Sequence, residues 1–228
     1  MADRFFTPDP LGPGEYVLTG PEAHHLVAVR RFAEGDEVVL FNGDGHEYPS
    51  HILSVGKRTV TLAVLAPIAP DRELAFPLVV GSALPKGDRA DFLIEKLTEL
   101  GVTRFVPLLT TRAVVQPKGS VVEKFARMVI EASKQCGRNR LMQIDPPQKW
   151  NDFVARTDLP GARVVLHTGP DVEQMNARGG NAIAVGPEGG FTEEEVATAV
   201  GCGWRVASLG SRVLRVETAA LAAAALLG

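Results

Sequence analysis

The sequence predicts an α/β protein in which a small N-terminal β-barrel precedes a larger domain with a parallel sheet. Short strand-like segments separated by turns fill residues 1–70, which is typical of a small barrel. After residue 76, apolar strand segments alternate with helical patterns, and this alternation predicts a parallel sheet covered on both faces. Prolines interrupt the region 67–76, so we predict a linker there between domains 1–70 and 76–228.

The elements of the first domain are predicted from turn signals between apolar runs. A strand over 37–41 leads into Asn42-Gly43-Asp44-Gly45, a strong hairpin signal. Strands over 46–55 and 59–65, joined by a turn at 56–58, continue the pattern.

The second domain is predicted to begin with a buried strand over 78–84 and a helix from about Asp88, which Gly101 ends. Two capping boxes, Ser120-x-x-Glu123 and Thr192-x-x-Glu195, predict the start of further helices, the first of which ends at Gly137. The remaining predictions are strands over 104–109, 164–166, 182–185 and 205–209 and a helix in the alanine-rich tail.

Composition limits the possible classes of function. Two cysteines and five histidines without H-E-x-x-H spacing predict reduced thiols and no metal site. The apolar stretch 219–227 is too short to span a bilayer, and residues 1–4 lead into no signal-peptide core, so we expect a cytoplasmic protein that does not enter a membrane. Residues 86–140 hold 11 Lys and Arg against 6 Asp and Glu, which makes this region the candidate basic face for nucleic acid.

Two glycine-containing segments near the C-terminus indicate a binding site. Gly186-Pro187-Glu188-Gly189-Gly190-Phe191 follows one predicted strand, and Leu209-Gly210-Ser211-Arg212-Val213-Leu214-Arg215-Val216-Glu217-Thr218-Ala219 follows another. Open α/β sheets bind ligands at the carboxyl ends of strands, and glycine lets a ligand approach the backbone closely. Neither segment has the glycine spacing of phosphate-binding or dinucleotide-binding loops. Arginine is unfavourable at the start of a helix, so Arg212 and Arg215 suggest an anionic ligand.

These two segments, with Lys96-Leu97-Thr98-Glu99-Leu100-Gly101-Val102, Gln135-Cys136-Gly137-Arg138 and His24-His25-Leu26-Val27-Ala28-Val29-Arg30-Arg31, closely resemble the bacterial ribosomal RNA small-subunit methyltransferase E family. The resemblance covers essentially the whole chain in the same order. It implies a SPOUT-type domain with a C-terminal trefoil knot, a PUA-like N-terminal barrel and a homodimer. It also implies S-adenosylmethionine as cofactor and ring nitrogen 3 of a uridine in 16S ribosomal RNA as the methyl acceptor.

The resemblance further implies roles for particular residues. The cofactor would contact Gly186, Glu188, Gly190, Leu209, Gly210, Val213, Leu214 and Arg215. Candidates for the chemistry are Arg138, Arg212 and Arg215, which could stabilise the negative charge of a deprotonated imide, and Glu217, which could orient an arginine or accept the proton. The RNA would contact Arg30, Arg31, Lys86, Lys96, Arg112, Arg138 and Arg140.

Three other functions are compatible with parts of the sequence. One is a knotted methyltransferase that acts on a guanosine or a ribose of transfer RNA, which the full series of motifs disfavours. A second is a non-catalytic RNA-binding or ribosome-assembly module, which the intact glycines disfavour. A third is a general nucleotide-binding α/β protein, which the missing phosphate-binding patterns disfavour.

Overall fold

The computed structural model describes residues 3–169, 172–176 and 181–227. Its contacts divide the chain into two compact units. The first unit contains residues 1–73 and 133–141, and the second contains residues 74–132 and 142–228. This division differs from the predicted domains at one place, because residues 133–141 belong to the first unit.

The first unit is built on a curled five-stranded sheet in the order β1-β3-β4-β5-β2. Its strands are β1 (Arg4–Phe6), β2 (Gly14–Thr19), β3 (Glu37–Phe41), β4 (Tyr48–Val55) and β5 (Thr59–Val64). The pairing of β1 with β3 is parallel and the other pairings are antiparallel. A short helix, α1 (Gly20–His24), continues into a π-helical turn (His25–Val29) that buries Leu26 in the core of this sheet.

The predicted hairpin is confirmed, because β3 and β4 pair on either side of the Asn42–Gly45 turn. The sequence analysis missed β1, β2 and α1. β1 has only three residues, and its parallel pairing with β3 joins residues 35 positions apart, as in Arg4 with Val39. No local pattern carries such a pairing.

Buried charges attach residues 133–141 to the sheet of the first unit. Glu47 accepts hydrogen bonds from both Arg4 and Arg72. These arginines also donate to backbone carbonyls of the segment, Arg72 to Gly137 at 2.9 Å and Arg4 to Arg138 at 3.0 Å. Because a buried charge needs several partners, the segment and the sheet stabilise one another.

The second unit contains a parallel sheet, as predicted, in the order β12-β10-β11-β6-β7-β8, with β9 also paired to β7. Its strands are β6 (Val79–Ser82), β7 (Arg104–Leu109), β8 (Gln143–Ile144), β9 (Gln148–Lys149), β10 (Arg163–Leu166), β11 (Ala182–Val185) and β12 (Arg205–Ala207). From β6 the chain proceeds to β7 on one side, whereas β11 and β10 lie on the other. The strand order thus reverses beside β6, a position where open α/β sheets bind ligands at the carboxyl ends of their strands.

The helices are α2 (Asp88–Glu99), α3 (Val121–Cys136), α4 (Trp150–Val154), α5 (Glu193–Gly201) and α6 (Val216–Leu227). Gly101 and Gly137 follow α2 and α3 with φ values of +82° and +83°, as predicted for glycines that end helices. The capping box at the start of α5 is confirmed, with Thr192 accepting from the Glu195 amide. The Phe92 side chain, on α2, is exposed.

Candidate active site

A cavity of about 350 Å³ lies where three strands of the second unit end. Its wall comes from the segments that follow β10, β11 and β12, all at the carboxyl edge of the sheet. The lining residues are Arg112, Leu166, His167, Thr168, Val185, Gly186, Pro187, Glu188, Gly189, Gly190, Phe191, Leu209, Arg212, Val213, Leu214, Val216 and Ala219. The volume is in the range of small-molecule sites.

The first glycine segment is fixed against the core of the sheet. Phe191 is buried, and its ring centroid lies 4.2 Å from that of Trp150. A Cβ atom added at Gly186 would lie 3.1 Å from the Phe191 ring, so a larger residue would require the ring or the segment to shift by a few tenths of an ångström. Gly190 turns the chain with a φ of +68° and donates its amide to the Pro187 carbonyl at 2.8 Å.

The second segment presents an unusually free backbone. In the described part of the chain, the amides and carbonyls of residues 209–214 make no backbone hydrogen bond. Val216 and Ala219 of the following helix α6 complete this side of the cavity. Backbone donors and acceptors without partners beside an apolar wall can hydrogen-bond a ligand that has both polar and apolar parts.

The predicted cofactor residues largely meet in this cavity. Gly186, Glu188, Gly190, Leu209, Val213 and Leu214 line it, as do the predicted Arg112 and Arg212. Gly210 and Arg215 are absent from the lining among the described residues; Gly210 turns the segment with a φ of +102°, and Arg215 is an exposed residue directly before α6. The sequence analysis missed Thr168 and His167, which follow β10, although their place directly after an apolar strand was a usable signal.

Arg138 lies in the 133–141 segment, which belongs to the first unit. The residue is only 3% exposed. Its guanidinium donates to Oε2 of Glu73, from Nη2 at 2.8 Å and from Nε at 3.1 Å. The amide of Arg140 donates to the same carboxylate at 3.1 Å. Arg138 therefore helps to fix the 133–141 segment, and its predicted part in the chemistry and in RNA contact stays a prediction.

The other predicted RNA contacts differ in how free they are. Lys96 lies between Glu95 and Glu99, whose hydrogen bonds raise its pKa to about 12. Arg30 forms an ion pair with Asp3, whereas Lys86, in the loop before α2, and Arg31 are exposed. Arg112 donates to the Gly189 carbonyl at 2.9 Å, which joins it to the first glycine segment.

Glu217, predicted as an acid of the site, is buried in the first turn of α6. It does not line the cavity among the described residues. Its Oε1 lies 3.5 Å from Nη1 of Arg89, and Nη2 of Arg89 lies 3.5 Å from Oε1 of Glu188. Arg89, in the first turn of α2, is a functional candidate that was not among the predicted site residues.

No metal site is built into the described residues, in which no three His, Cys, Asp or Glu side chains come together for an ion. Within the same residues, no helix is long and apolar enough to cross a membrane.

Comparisons with known proteins match the whole of this architecture. The RNA methyltransferase domain family matches residues 72–228, and the RNA methyltransferase PUA domain family matches residues 18–65. The ribosomal RNA small subunit methyltransferase E of Bacillus subtilis is 31% identical over 221 residues, which are 90% of this chain and 86% of that protein. The corresponding protein of Synechocystis is 31% identical over 93% of this chain and 72% of its own length.

Solved structures give the same result. A methyltransferase from Legionella pneumophila in complex with the bound cofactor SAM superposes with a TM-score of 0.91 at 30% identity, over 100% of this chain and 97% of that one. The Neisseria gonorrhoeae ribosomal RNA small subunit methyltransferase E bound to S-adenosyl methionine gives 0.89 at 27% identity, over 99% and 96%. The resemblance deduced from the motifs is confirmed: this chain belongs to the ribosomal RNA small subunit methyltransferase E family.

Proposed function

We propose that the protein uses S-adenosylmethionine to methylate ring nitrogen 3 of a uridine in 16S ribosomal RNA. The observation that carries this proposal is the cavity formed by the two glycine segments at the carboxyl edge of the sheet. Relatives named for small-subunit ribosomal RNA methylation and two SAM-bound structures of the same fold support it. The uridine and its ring nitrogen come from the resemblance of the motifs and form the finer part of the proposal.

The residues present fit this cofactor. The free backbone groups of residues 209–214 suit the hydrogen-bonding edges of an adenine and the hydroxyls of a ribose. Leu166, Val185 and Leu209 supply apolar surface, and Glu188 supplies a negative charge for a cofactor that carries positive charge at its sulfonium. Gly186 lines the cavity without a side chain, so its backbone can lie close to the ligand.

The chemistry requires position and an ionised acceptor. The bound cofactor supplies an activated methyl group, and the transfer breaks its C–S bond, forms the N–C bond and leaves a neutral thioether. The protein must hold the uridine in line with the methyl group and favour the loss of the imide proton. We assign solvent water as the acceptor of this proton, because Glu217 faces Arg89 instead of the cavity. Arg212 at the cavity wall, with Arg215 after it, remains a candidate to stabilise the resulting anion.

We further propose the other features that the family resemblance implies, apart from the reaction. These are a trefoil knot in the C-terminal chain, a PUA-like character of the N-terminal sheet, a homodimer and a cytoplasmic site of action. The RNA would contact the exposed cations Arg31, Lys86 and Arg140, together with Arg30, Lys96 and Arg112. A uridine whose ring nitrogen reacts must be unpaired, so a single-stranded or splayed nucleotide is the expected substrate.

Mass-spectrometric mapping of 16S ribosomal RNA tests the proposal. Cells that contain the gene should carry an N3-methyluridine that is missing from cells without it, and the purified protein with S-adenosylmethionine should restore the mark. A methyl group at another base or at a ribose would keep the methyltransferase but overturn the assigned position. An unchanged methylation pattern would overturn the function.

A further inference from the structure

Arg89 is held between two carboxylates that come from different parts of the fold. It lies in the first turn of α2, and its two terminal nitrogens face Glu188 after β11 and Glu217 in α6, at 3.5 Å each. The two carboxylates contact only the terminal nitrogens in these ion pairs, and the Arg89 side chain is 36% exposed. Because a guanidinium has five N–H donors in a rigid plane, some of them stay available to a further acceptor.

The burial of Glu217 indicates that this arrangement is more than a surface ion pair. Its Oε2 is fully buried and has no hydrogen-bond partner in the described part of the chain. Among the described residues, Arg89 is the charged group within 4 Å of the Glu217 carboxylate. A buried carboxylate is costly and is retained where it fixes a neighbouring cation, so Glu217 anchors Arg89 from the protein side.

Glu188 links the same guanidinium to the cofactor cavity, whose described lining does not include Arg89 itself. Glu188 lines that cavity, so Arg89 lies one side chain away from it and keeps part of its surface open to solvent. The predicted arginines lack this arrangement. Arg212 and Arg215 are exposed with no carboxylate within 4 Å among the described residues, and Arg138 is engaged by Glu73.

Stabilisation of a charge that develops during a reaction is most effective when the donors are already fixed in place. We propose that Arg89 is a catalytic residue for the target base: its guanidinium, oriented by Glu217 and Glu188, donates to the oxygens that share the negative charge of the deprotonated uridine imide. This inference rests on the proposed function and assigns to one residue the role of stabilising the acceptor.

The charges around this guanidinium set the sign of the expected effect. Glu188 and Glu217 contact it, Lys86 and Asp88 precede it in the chain, and Arg112 and Arg212 line the cavity. Arg89 offsets the two carboxylates and adds donors for the anion, so its removal leaves negative charge uncompensated near the imide and disfavours the ionised form. Removal of Arg89 should therefore raise the pH at which the methyl-transfer rate stops increasing.

The test is a pH profile of single-turnover methyl transfer between about pH 7 and 10, with 16S ribosomal RNA and saturating S-adenosylmethionine. Arg89→Ala should slow transfer at neutral pH by at least about tenfold and raise the apparent pKa by about one unit. The deficit should shrink as the pH rises, because hydroxide then ionises the base without help. Arg89→Lys, which keeps the charge, should recover part of the rate and retain the wild-type profile.

Two further variants complete the experiment. Glu217→Gln should slow transfer by misorienting Arg89, and the loss should be small when it is added to Arg89→Ala, since both act through one group. Arg163→Ala is the matched control, because Arg163 lies at the amino end of β10, away from the carboxyl ends that form the cavity. In the described chain, its side chain donates only to the backbone carbonyls of residues 159 and 160. It should leave the profile unchanged.

Calorimetry separates this role from cofactor binding, and Arg89→Ala should bind S-adenosylmethionine within about twofold of wild type. The proposal is overturned if Arg89→Ala matches wild type, if its deficit is the same at every pH, or if cofactor binding is lost. It is equally overturned if the variant with both Arg89→Ala and Glu217→Gln loses methyl-transfer rate by the full sum of the two single losses in free energy. If the wild-type protein methylates no uridine in 16S ribosomal RNA, it is the proposed function that fails, whatever the Arg89 variants do.

Discussion

At the scale of single residues, the site depends on positions where a side chain has no space. Gly186 is the clearest case, because an added Cβ would lie 3.1 Å from the Phe191 ring and 3.2 Å from the Phe191 backbone nitrogen. Phe191 cannot give way easily, since it is buried against Trp150. The glycine therefore serves packing, and under the proposed function it also lets the cofactor approach the backbone.

We expect Gly186→Ala to push the first glycine segment into the cavity. The crowding should cost about 1–3 kcal/mol of stability and weaken S-adenosylmethionine binding by about tenfold. Calorimetric titration and thermal unfolding measure the two effects. Gly161→Ala is a suitable control, because no atom lies within 4 Å of its added Cβ; equal binding by both variants would show that Gly186 is not constrained by the site.

The same scale shows what the sequence could and could not indicate. The glycines of 186–190 and the Leu209, Val213 and Leu214 side chains were predicted as one site from local motifs, and the cavity lining contains them. Arg89 was not singled out, because its importance depends on Glu188 and Glu217, which lie about a hundred or more residues away. A spacing of that length leaves no pattern along a single chain.

At the scale of elements, strong local signals gave reliable predictions and short elements did not. The capping box of α5 and the glycine after α2 carry their own backbone chemistry, so both were identifiable from sequence. The strand predicted over 205–209 is shorter, ending at Ala207, because Ser208 instead exchanges hydrogen bonds with the 173–175 segment. β8 and β9, with two residues each, have no periodicity to detect.

The connection between α4 and β10 carries an ion-pair cluster that makes stability depend on pH. Hydrogen bonds from Arg156 and then Arg104 hold the pKa of Asp158 well below its usual range. A carboxylate with a depressed pKa stabilises the fold above its unfolded pKa, near about 4, and this contribution is lost as the pH falls below that value.

Asp158→Asn should therefore be less stable than wild type at pH 7, by at most about 1 kcal/mol because the carboxylate is more than half exposed and screened. The difference should narrow steadily as the pH is lowered below about 4. Urea unfolding at several pH values measures it, and a difference that stayed constant down to acid pH would contradict the assignment.

At the scale of the whole molecule, the division of the chain into two units could be predicted from the sequence only in part. The linker region and the change from strands to alternating strands and helices were visible. The attachment of residues 133–141 to the first unit was not, because it depends on Arg4 and Arg72, both bound to Glu47, donating to backbone carbonyls 65 or more positions away. The family resemblance made Arg138 a candidate for the chemistry and for RNA contact, and the structure adds that its guanidinium binds Glu73 within the first unit.

Arg138→Ala should accordingly act on folding. Loss of a buried cation that binds Glu73 should cost about 3 kcal/mol, measured by denaturant unfolding, and the folded variant should bind S-adenosylmethionine as wild type does. Its exposed neighbour provides the control, since Arg140→Ala should change stability by no more than about 0.5 kcal/mol. Wild-type stability combined with lost cofactor binding in Arg138→Ala would reverse this conclusion.

The central claim is that the carboxyl edge of the parallel sheet binds the methyl donor between its two glycine segments. A crystal structure of the protein with S-adenosylmethionine measures this most directly. We expect the donor in the cavity, with its polar groups on the backbone of residues 209–214 and Glu188 facing it. A donor bound at another surface, with these segments closed against each other, would contradict the account.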